Sequence, residues 1–456
     1  MTTETRKRIG PEDLAWVDEF IASIRCHVRV RLEDNLLILV PNEAYKLNAS
    51  GLVILDHLLR GGKISEVLRR VKEHRAKLEQ LLYFFLDLCA LMKGNMAEGR
   101  GRLAVERVSF QVPFNVLPVL SEVAITYRCN LRCRFCYAAC GCHARPQKDA
   151  EMTTQEAMKI LDIIAHEAKA PSVSFTGGEP TLRNDLPKLV AHARSLDLRV
   201  NLITNGTTAD GGLVERLAKA GLNSAQVSLE AATPDTHEKL TGVPGSFAAT
   251  LRGIENLRKA AIHAHTNTTI NRLNLNELSA LLRLVKDLGM TRLSMNMVIP
   301  TGSAAAHDDE LMVSYTEIGP IVRRLADEAR GLGMKFMWYS PTPLCLFNPI
   351  AEGLGNKSCA ACDGLLSVAP DGGLRPCSSH PETIGNLLTE DFAAVWNSTR
   401  AKYFKSKDFA PEPCKTCEDF APCACACPLY WERQGYDELR QAHAARSNEL
   451  MKHGGK

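Results

Sequence analysis

The sequence predicts an α/β protein: a partial (β/α)6 TIM-type barrel, preceded by a small α+β winged-helix-like domain and followed by a cysteine-rich domain. Strand-like and helix-like patterns alternate six times between residue 119 and about residue 335, which is typical of a parallel sheet. Three strand-like and three helix-like segments occupy much of the first 95 residues. Fourteen of the sixteen cysteines fall in two groups, Cys129 to Cys142 and Cys345 to Cys427. The predicted domains are 1–110 (core 25–95), 111–338 and 339–435, with a polar helical tail at 436–456.

Composition and charge indicate a globular protein of the cytoplasm. Of the 456 residues, 45% are apolar and 23% charged, and the formal net charge is +3, so we expect neither nucleic acid nor an anionic membrane as a partner. The N-terminus has no apolar secretion signal, and the most apolar stretch, Leu81 to Met92, is too short to span a bilayer. In a reducing compartment, clustered thiols indicate metal binding or catalysis. The two isolated cysteines, Cys26 and Cys89, are expected to be small core residues.

The N-terminal domain is predicted from its changing periodicity. After a polar lead-in, RVRLEDNLLILV (29–40) predicts two strands around a turn at Glu33-Asp34-Asn35, and residues 44–47 predict a third. From Ala49 to Gly61-Gly62 the apolar residues recur at helical spacing, and 64–71 and 78–92 predict two further helices. An Arg-rich linker precedes Phe114.

The barrel is predicted from six apolar, β-rich runs separated by helical segments. The strands are predicted at 123–126, 172–176, 199–204, 224–230, 263–270 and 292–299, and the helices at 154–168, 186–196, 212–220, 246–260 and 275–288. In barrels of this kind the chemistry gathers at the carboxyl ends of the strands.

The loop after the first strand carries three cysteines, Cys129, Cys133 and Cys136. A zinc site would require a fourth ligand, whereas three thiolates suit a cubic iron–sulfur cluster in which one iron has no protein ligand. The alternatives are a structural zinc site or three unrelated thiols. Cys140, Cys142 and His143 follow closely in the sequence. They could contact the substrate or the cluster, or they could be shielded loop residues without a role in the chemistry.

This C-x3-C-x2-C loop, with an apolar residue before its third cysteine, resembles the motif of the radical S-adenosylmethionine (radical SAM) superfamily. The resemblance covers residues 119 to about 335 and implies that a [4Fe–4S] cluster chelates S-adenosylmethionine and cleaves it to a 5′-deoxyadenosyl radical. It also implies contacts from the later strand ends, where the family often has Asp in place of Glu230. The implied contacts are Phe135 near the adenine, Gly177, Gly178 and Glu179 near the methionine amino group, Thr204, Asn205, Ser228 and Glu230 near the ribose and carboxylate, and Asn271 as a further polar contact.

The C-terminal cysteines form two patterns, Cys362-x9-Gly372-x4-Cys377 and Cys414-x2-Cys417-x5-Cys423-x3-Cys427. Together they resemble the SPASM extension, an iron–sulfur domain that binds auxiliary clusters, with zinc as the alternative for the four-cysteine run. The resemblance implies up to two auxiliary [4Fe–4S] clusters, the first held by Cys359, Cys362, Cys377 and Cys427, the second by Cys414, Cys417 and Cys423. The family's last cysteine, beyond Cys427, is absent. The fourth ligand is then Cys425, a carboxylate such as Asp419, or nothing, and Cys345 is a spare that could replace Cys359.

The N-terminal domain resembles the precursor-peptide recognition element related to the pyrroloquinoline quinone peptide chaperone (PqqD-like). The resemblance lies in Tyr45-Lys-Leu-Asn48-Ala-Ser-Gly51 with Ile54-Leu55. It implies that residues 25–95 bind the leader of a ribosomally made peptide, which would add a strand to an exposed edge. The alternative is a structural or dimerisation domain.

These resemblances lead to the expectation of a peptide maturase that oxidatively modifies a ribosomally synthesised precursor peptide, for example by a crosslink, and receives electrons from a flavodoxin or ferredoxin. One alternative keeps the radical chemistry but acts on a folded protein or a tetrapyrrole. Another is a non-catalytic, metal-binding peptide scaffold. The sequence identifies no acid, base or other residue that completes the reaction.

Overall fold

The computed structural model describes residues 9–71, 75–94, 111–140 and 151–453, with side chains to residue 445. The chain divides into two compact units, Met1–Ser109 and Phe110–Lys456. Cys142, His143 and most of the predicted Arg-rich linker lie outside the described residues.

The first unit packs helices against a three-stranded antiparallel sheet of order β1-β2-β3. Its elements are α1 (Val17–Ile24), β1 (Val28–Arg31), β2 (Leu36–Leu39), β3 (Glu43–Lys46), α2 (Ala49–Leu59), α3 (Ile64–Val71) and α4 (Arg75–Met92). The three predicted strands and three predicted helices are confirmed. An ion pair buried between β1 and β2, Arg31 with Asp34 at 2.8 Å, braces the hairpin turn.

Two expectations for this unit were wrong. The polar lead-in contains helix α1, which buries Val17, Ile21 and Ile24 at helical spacing. Cys26 is exposed and Cys89 is half-buried, so neither is a core residue.

The second unit is built on a ten-stranded sheet in which the predicted barrel strands run parallel. They are β4 (Leu120–Thr126), β5 (Ser172–Gly177), β6 (Arg199–Thr204), β7 (Ser224–Ser228), β8 (His263–Ile270) and β9 (Arg292–Met297). The helices on this part are α5 (Thr154–His166), α6 (Leu186–Ser195), α7 (Gly211–Ala220), α8 (Pro234–Thr241), α9 (Ser246–Lys259), α10 (Leu278–Asp287), α11 (Asp308–Leu311) and α12 (Tyr315–Gly331). The predicted partial α/β barrel is confirmed.

The sheet continues beyond the six predicted strands. β10 (Lys335–Trp338) follows α12 and pairs in parallel with β9. Pro320 lies inside α12, which continues through it although proline usually ends a helix. α12 and β10 were not among the predicted barrel elements.

The cysteine-rich region extends the same sheet on its other side. β11 (Leu365–Val368) pairs in parallel with β4, and β12 (Gly373–Arg375) and β13 (Gly385–Asn386) follow antiparallel. The helices there are α13 (Phe392–Trp396), α14 (Thr399–Lys405), α15 (Glu412–Lys415), α16 (Phe420–Cys423), α17 (Pro428–Gln434) and α18 (Asp437–His453). The ring of Tyr315 in α12 packs against that of Tyr430 in α17 at a tilt of 49°, with ring centroids 4.2 Å apart. The region therefore shares the hydrophobic core of the barrel.

None of the described helices is both long enough and apolar enough to cross a membrane.

Candidate functional site

The three-cysteine loop starts two residues after β4 and is fastened by backbone hydrogen bonds on both sides. On one side, the N–H groups of Arg132 and Arg134 each donate at 2.9 Å to carbonyls at the end of α8, those of Thr241 and Leu240. On the other side, the loop after β9 donates from the Ser303 N–H to the carbonyl of Cys136 at 2.8 Å. The loop is therefore held in place by two different βα connections at the carboxyl ends of the strands.

The thiols of Cys129, Cys133 and Cys136 lie within electrostatic range of one another: Cys136 acts on both others, and Cys129 acts on Cys133. Burial and these neighbours raise the pKa of Cys129 to about 11 and that of Cys133 well above its usual value. The pKa of Cys136 falls to about 6, chiefly because the Cys140 thiol donates a hydrogen bond to its sulfur. Three mutually repelling thiolates in a buried loop are a donor set that a positively charged iron centre would stabilise.

No three Cys, His, Asp or Glu side chains within the described ranges converge around a point suited to a single metal ion. The described cysteines are all free thiols. Three thiols in one short loop are the donors that an iron–sulfur cluster with one open iron would use, so Cys129, Cys133 and Cys136 fit such a cluster by their chemistry.

The Gly177-Gly178 pair lets the end of β5 lie directly on the backbone that leads into the cysteine loop. A Cβ at Gly177, where φ is +134°, would lie 2.0 Å from the Thr126 carbonyl oxygen. A Cβ at Gly178 would lie 2.2 Å from that of Arg128, and the Gly178 N–H donates to the Thr126 carbonyl at 2.8 Å. The two glycines thus make room for the chain itself.

Glu179 is fully buried and connects the ends of β5 and β6. Its carboxylate accepts hydrogen bonds from the Thr204 hydroxyl at 2.7 Å, the Asn205 N–H at 2.7 Å and both the N–H and hydroxyl of Thr181. Burial raises the pKa of Glu179. Its charge also raises the pKa of Cys129, so the carboxylate lies within electrostatic range of the cysteine loop.

Asn205 reaches the cysteine loop directly. Its side-chain amide donates to the Oδ1 of Asn130 at 2.9 Å, and Asn130 in turn donates to the Thr207 hydroxyl at 2.8 Å. The residues predicted at the second and third strand ends therefore belong to one hydrogen-bonded network with the loop that carries the thiols.

Glu230 lies two residues after the end of β7. It is 2% exposed, accepts from the Thr269 N–H at 2.9 Å, and burial raises its pKa to about 8. Its charge raises the pKa of Cys133. Ser228 ends β7, and Phe135 packs partly buried against the core. Asn271 donates to the Thr269 carbonyl and accepts from the Leu273 N–H, and so shapes the turn after β8.

The first predicted auxiliary set is brought together from three separate stretches of chain. Cys377 interacts electrostatically with Cys427 and Cys359, and Cys362 with Cys359. Buried Lys407 donates to the Cys359 carbonyl at 2.8 Å, and the charge of Lys405 stabilises the thiolate of Cys362. The described thiols thus fit the set implied by the SPASM resemblance.

The second set lies in a small pocket lined by Cys414, Cys417, Cys423, Cys425 and Cys345. The pKa of Cys414 falls to about 6 because the Cys425 thiol donates to it, with His443 Nε2 also 3.9 Å from its sulfur. The idea that Cys345 replaces Cys359 in the first set is wrong, because Cys345 interacts with the thiols of the second set.

Three consecutive left-handed residues separate the two auxiliary sets. Ala424, Cys425 and Ala426 have φ of 50°, 56° and 61°, between Cys423 of the second set and Cys427 of the first. Each residue other than glycine in this conformation costs roughly 1–2 kcal/mol of conformational free energy. Local strain of this kind persists only where the surroundings fix it, as they do at binding sites.

Sequence reasoning missed Glu122, Lys407 and His443. Glu122 of β4 accepts from the Ser367 hydroxyl at 2.8 Å and the Ser378 N–H at 3.0 Å, next to Cys377. A carboxylate within the apolar run LSEVAIT was a usable signal. The two basic residues gave no local signal, since their thiol neighbours are distant in sequence.

Comparisons with known proteins identify two domains in the chain. Residues 123–297 match the radical SAM superfamily, and residues 359–418 match the SPASM iron–sulfur cluster-binding domain. The chain is 29% identical to the AdoMet-dependent heme synthase of Methanosarcina barkeri, over 67% of this chain and 90% of that protein. It is 29% identical to the PqqA peptide cyclase of Ruegeria pomeroyi, over 68% of this chain and 83% of that protein.

A solved structure extends the likeness of fold. SuiB of Streptococcus suis, crystallised with its precursor peptide SuiA, matches with a TM-score of 0.64 at 16% identity, over 89% of this chain and 95% of SuiB. The radical SAM domain binds a [4Fe–4S] cluster and S-adenosylmethionine, and the SPASM domain binds auxiliary iron–sulfur clusters. The chain therefore contains a radical SAM domain and a SPASM domain and is an enzyme of the radical SAM/SPASM type.

Proposed function

We propose that this radical SAM/SPASM maturase oxidatively modifies a ribosomally synthesised precursor peptide whose leader binds to the N-terminal unit. When bound, the cluster and S-adenosylmethionine supply a 5′-deoxyadenosyl radical, which takes a hydrogen atom from the peptide. Cys129, Cys133 and Cys136 would hold the cluster. Phe135, Gly177, Gly178, Glu179, Thr204, Asn205, Ser228 and Glu230 would form or support the S-adenosylmethionine site.

The observation that carries the peptide proposal is the open edge of β3. This strand pairs with β2 on one side only, and no other described strand pairs with it. The Leu47 N–H donates to the Asn35 carbonyl across the hairpin, so by alternation the Ala44 N–H points away from β2. An extended peptide can hydrogen-bond to such an edge as an added strand.

Apolar surface close in sequence to this edge supports the same proposal. Val53 of α2 is 58% exposed, and Tyr45 of β3 is half-buried. Edge-strand pairing gives a peptide its affinity, and apolar contacts beside the edge give it specificity. A small-molecule substrate would need neither an open strand edge nor an apolar surface beside it.

The names of two similar proteins also support a peptide substrate. One relative is named for cyclising the PqqA peptide, and SuiB was crystallised with a precursor peptide. Residues 110–456 make up about three quarters of this chain, so the 89% covered by SuiB extends into the N-terminal unit.

The two auxiliary cysteine sets favour a net oxidation. A crosslink or a similar bond releases an electron, which the auxiliary clusters would carry away, whereas a redox-neutral change would not require them. A cytoplasmic flavodoxin or ferredoxin is the expected electron donor.

The second candidate is chemistry on a tetrapyrrole. It is favoured by relatives named AdoMet-dependent heme synthase, at 29% and 28% identity, and Fe-coproporphyrin III synthase, at 34% identity over 39% of this chain. Radical chemistry on a folded protein is the third. Neither uses the open edge of β3.

The test is anaerobic reconstitution with the peptide encoded beside the gene, with and without its leader, and with a tetrapyrrole in a parallel reaction. We expect a change in the peptide's mass that depends on the leader. Ala44→Pro removes an outward N–H and should weaken leader binding at least several-fold, whereas Ala49→Pro, at the first position of α2, should not. Conversion of the tetrapyrrole, or peptide turnover indifferent to the leader and to Ala44→Pro, would overturn the proposal.

A further inference from the structure

The second auxiliary set has three cysteines from the SPASM motif and lacks the family's downstream fourth. Cys414, Cys417 and Cys423 lie in a pocket that also contains Cys345, Cys425 and His443. Any of the last three, or Asp419, which lines the same pocket, could in principle complete the set, and the preference of iron–sulfur clusters for thiolate ligands favours the two cysteines. Their positions relative to the motif thiols decide between them.

Cys345 lines the same pocket as the three motif thiols of Cys414, Cys417 and Cys423. The N–H of the preceding residue, Leu344, donates to the Cys423 sulfur at 3.4 Å, which fixes this chain segment against the pocket.

The segment that carries Cys345 is itself rigidly held. It forms a turn in which the N–H groups of Leu346 and Phe347 both donate to the Pro343 carbonyl at 2.9 Å. Phe347 is 3% exposed, and Gly319 of α12 lies against its ring. The turn therefore presents the Cys345 thiol from a fixed backbone, as a metal ligand requires.

Cys425 and His443 are placed differently. Cys425 donates a hydrogen bond to the Cys414 sulfur, and His443 Nε2 lies 3.9 Å from the same atom. Each protein ligand of a [4Fe–4S] cluster binds a different iron, and the four irons lie at separate corners of the cluster. A group within hydrogen-bonding distance of one ligand sulfur is therefore too close to that sulfur to bind a different iron. These two residues fit the role of hydrogen-bond donors to a ligand sulfur, which tune a cluster's potential.

We propose that Cys345 is the fourth ligand of the second auxiliary cluster, completing a set with Cys414, Cys417 and Cys423, and that Cys425 and His443 donate to the Cys414 sulfur. The missing downstream ligand is thus replaced by one from the segment that precedes the SPASM domain. Four thiolates leave no iron of this cluster open to substrate, so its role is electron transfer. The inference rests on the family assignment and is independent of the peptide proposal.

The test is iron content and EPR of the anaerobically reconstituted full chain. In Cys345→Ala we expect loss of about four of about twelve irons, or conversion of one cluster to a three-iron form. Cys425→Ala should retain all the iron and show a shifted midpoint potential for one auxiliary cluster. Cys26→Ala, at an exposed position in the N-terminal unit, is the matched control and should match wild type.

A second measurement needs no variant that could misfold. In the loaded wild-type protein, Cys345 should resist alkylation by iodoacetamide until a chelator removes the iron, while Cys26 reacts at once. Full iron with an unchanged EPR spectrum in Cys345→Ala would overturn the proposal. Loss of a cluster in Cys425→Ala instead, or rapid alkylation of Cys345 in the loaded protein, would also overturn it.

Discussion

The hydroxyl of Thr204 donates a 2.7 Å hydrogen bond to the buried carboxylate of Glu179 and so ties the end of β6 to the end of β5. The same hydroxyl accepts from the Gly206 N–H at 2.9 Å. Thr204→Val removes both bonds and leaves buried groups unpaired, which should cost about 1–3 kcal/mol of stability. We also expect weaker binding of S-adenosylmethionine, measured by anaerobic equilibrium dialysis. Thr204→Ser should retain both properties; equal affinity in the valine variant would show that this bond does not support the site.

Gly178→Ala tests why the turn after β5 needs glycine. The added Cβ would lie 2.2 Å from the Arg128 carbonyl oxygen, just before Cys129. The cysteine loop would have to shift, and we expect loss of about one cluster's iron, or ~4 atoms per chain. Iron analysis after reconstitution measures this. Gly211→Ala, where a Cβ has nothing within 4 Å, is the control. Full iron in Gly178→Ala would contradict the steric explanation.

Lys405→Met should lower the midpoint potential of the first auxiliary cluster. The ammonium of Lys405 lies 4.2 Å from the centre of the Trp396 ring and acts electrostatically on Cys362. A nearby positive charge favours the more negative, reduced form of a cluster, so its removal should shift the potential down by on the order of tens of millivolts. Redox titration followed by EPR measures the shift. Lys402→Met changes an exposed residue of the same helix and should leave the potential unchanged; an equal shift there would refute a specific effect.

His237 should make the fold sensitive to acid. It is 1% exposed, its Nδ1 accepts from the Glu230 N–H at 3.2 Å, and burial lowers its pKa to about 4. His237 of the unfolded chain binds a proton near its ordinary pKa and His237 of the folded chain does not, so the contribution of this one residue to stability is complete above about pH 6.5. It should fall by on the order of 3 kcal/mol as pH drops towards 4.

Melting temperatures between pH 7 and 4 test this prediction. His237→Gln should lose less stability in acid than wild type, because glutamine does not titrate. His166→Gln, at an exposed position on α5, should follow wild type. An acid response unchanged in His237→Gln would exclude His237 as the sensor.

Sequence reasoning succeeded where the informative residues are close together in the chain. The spacing of Cys129, Cys133 and Cys136 predicted one donor set, and apolar, β-rich runs predicted the six strands whose ends lie around it. Helix α1 was missed, although the spacing of Val17, Ile21 and Ile24 in the sequence is helical and could have predicted it.

The rest depends on contacts between distant segments. β11 pairs with β4 although some 245 residues separate Ser367 from Glu122, and nothing local in either strand specifies that partner. Cys345 lies beside Cys423, which is 78 positions later in the chain, so spacing alone could not assign it. The role of Gly177 was also hidden, because the atom it avoids belongs to Thr126.

The most direct test is formation of 5′-deoxyadenosine from S-adenosylmethionine by the reduced, reconstituted protein, compared with the triple variant Cys129→Ala, Cys133→Ala, Cys136→Ala. Our account predicts deoxyadenosine from wild type and none from the variant, which should still hold the iron of its auxiliary clusters. Deoxyadenosine from the triple variant, or a wild-type loop that binds zinc instead of iron, would contradict it.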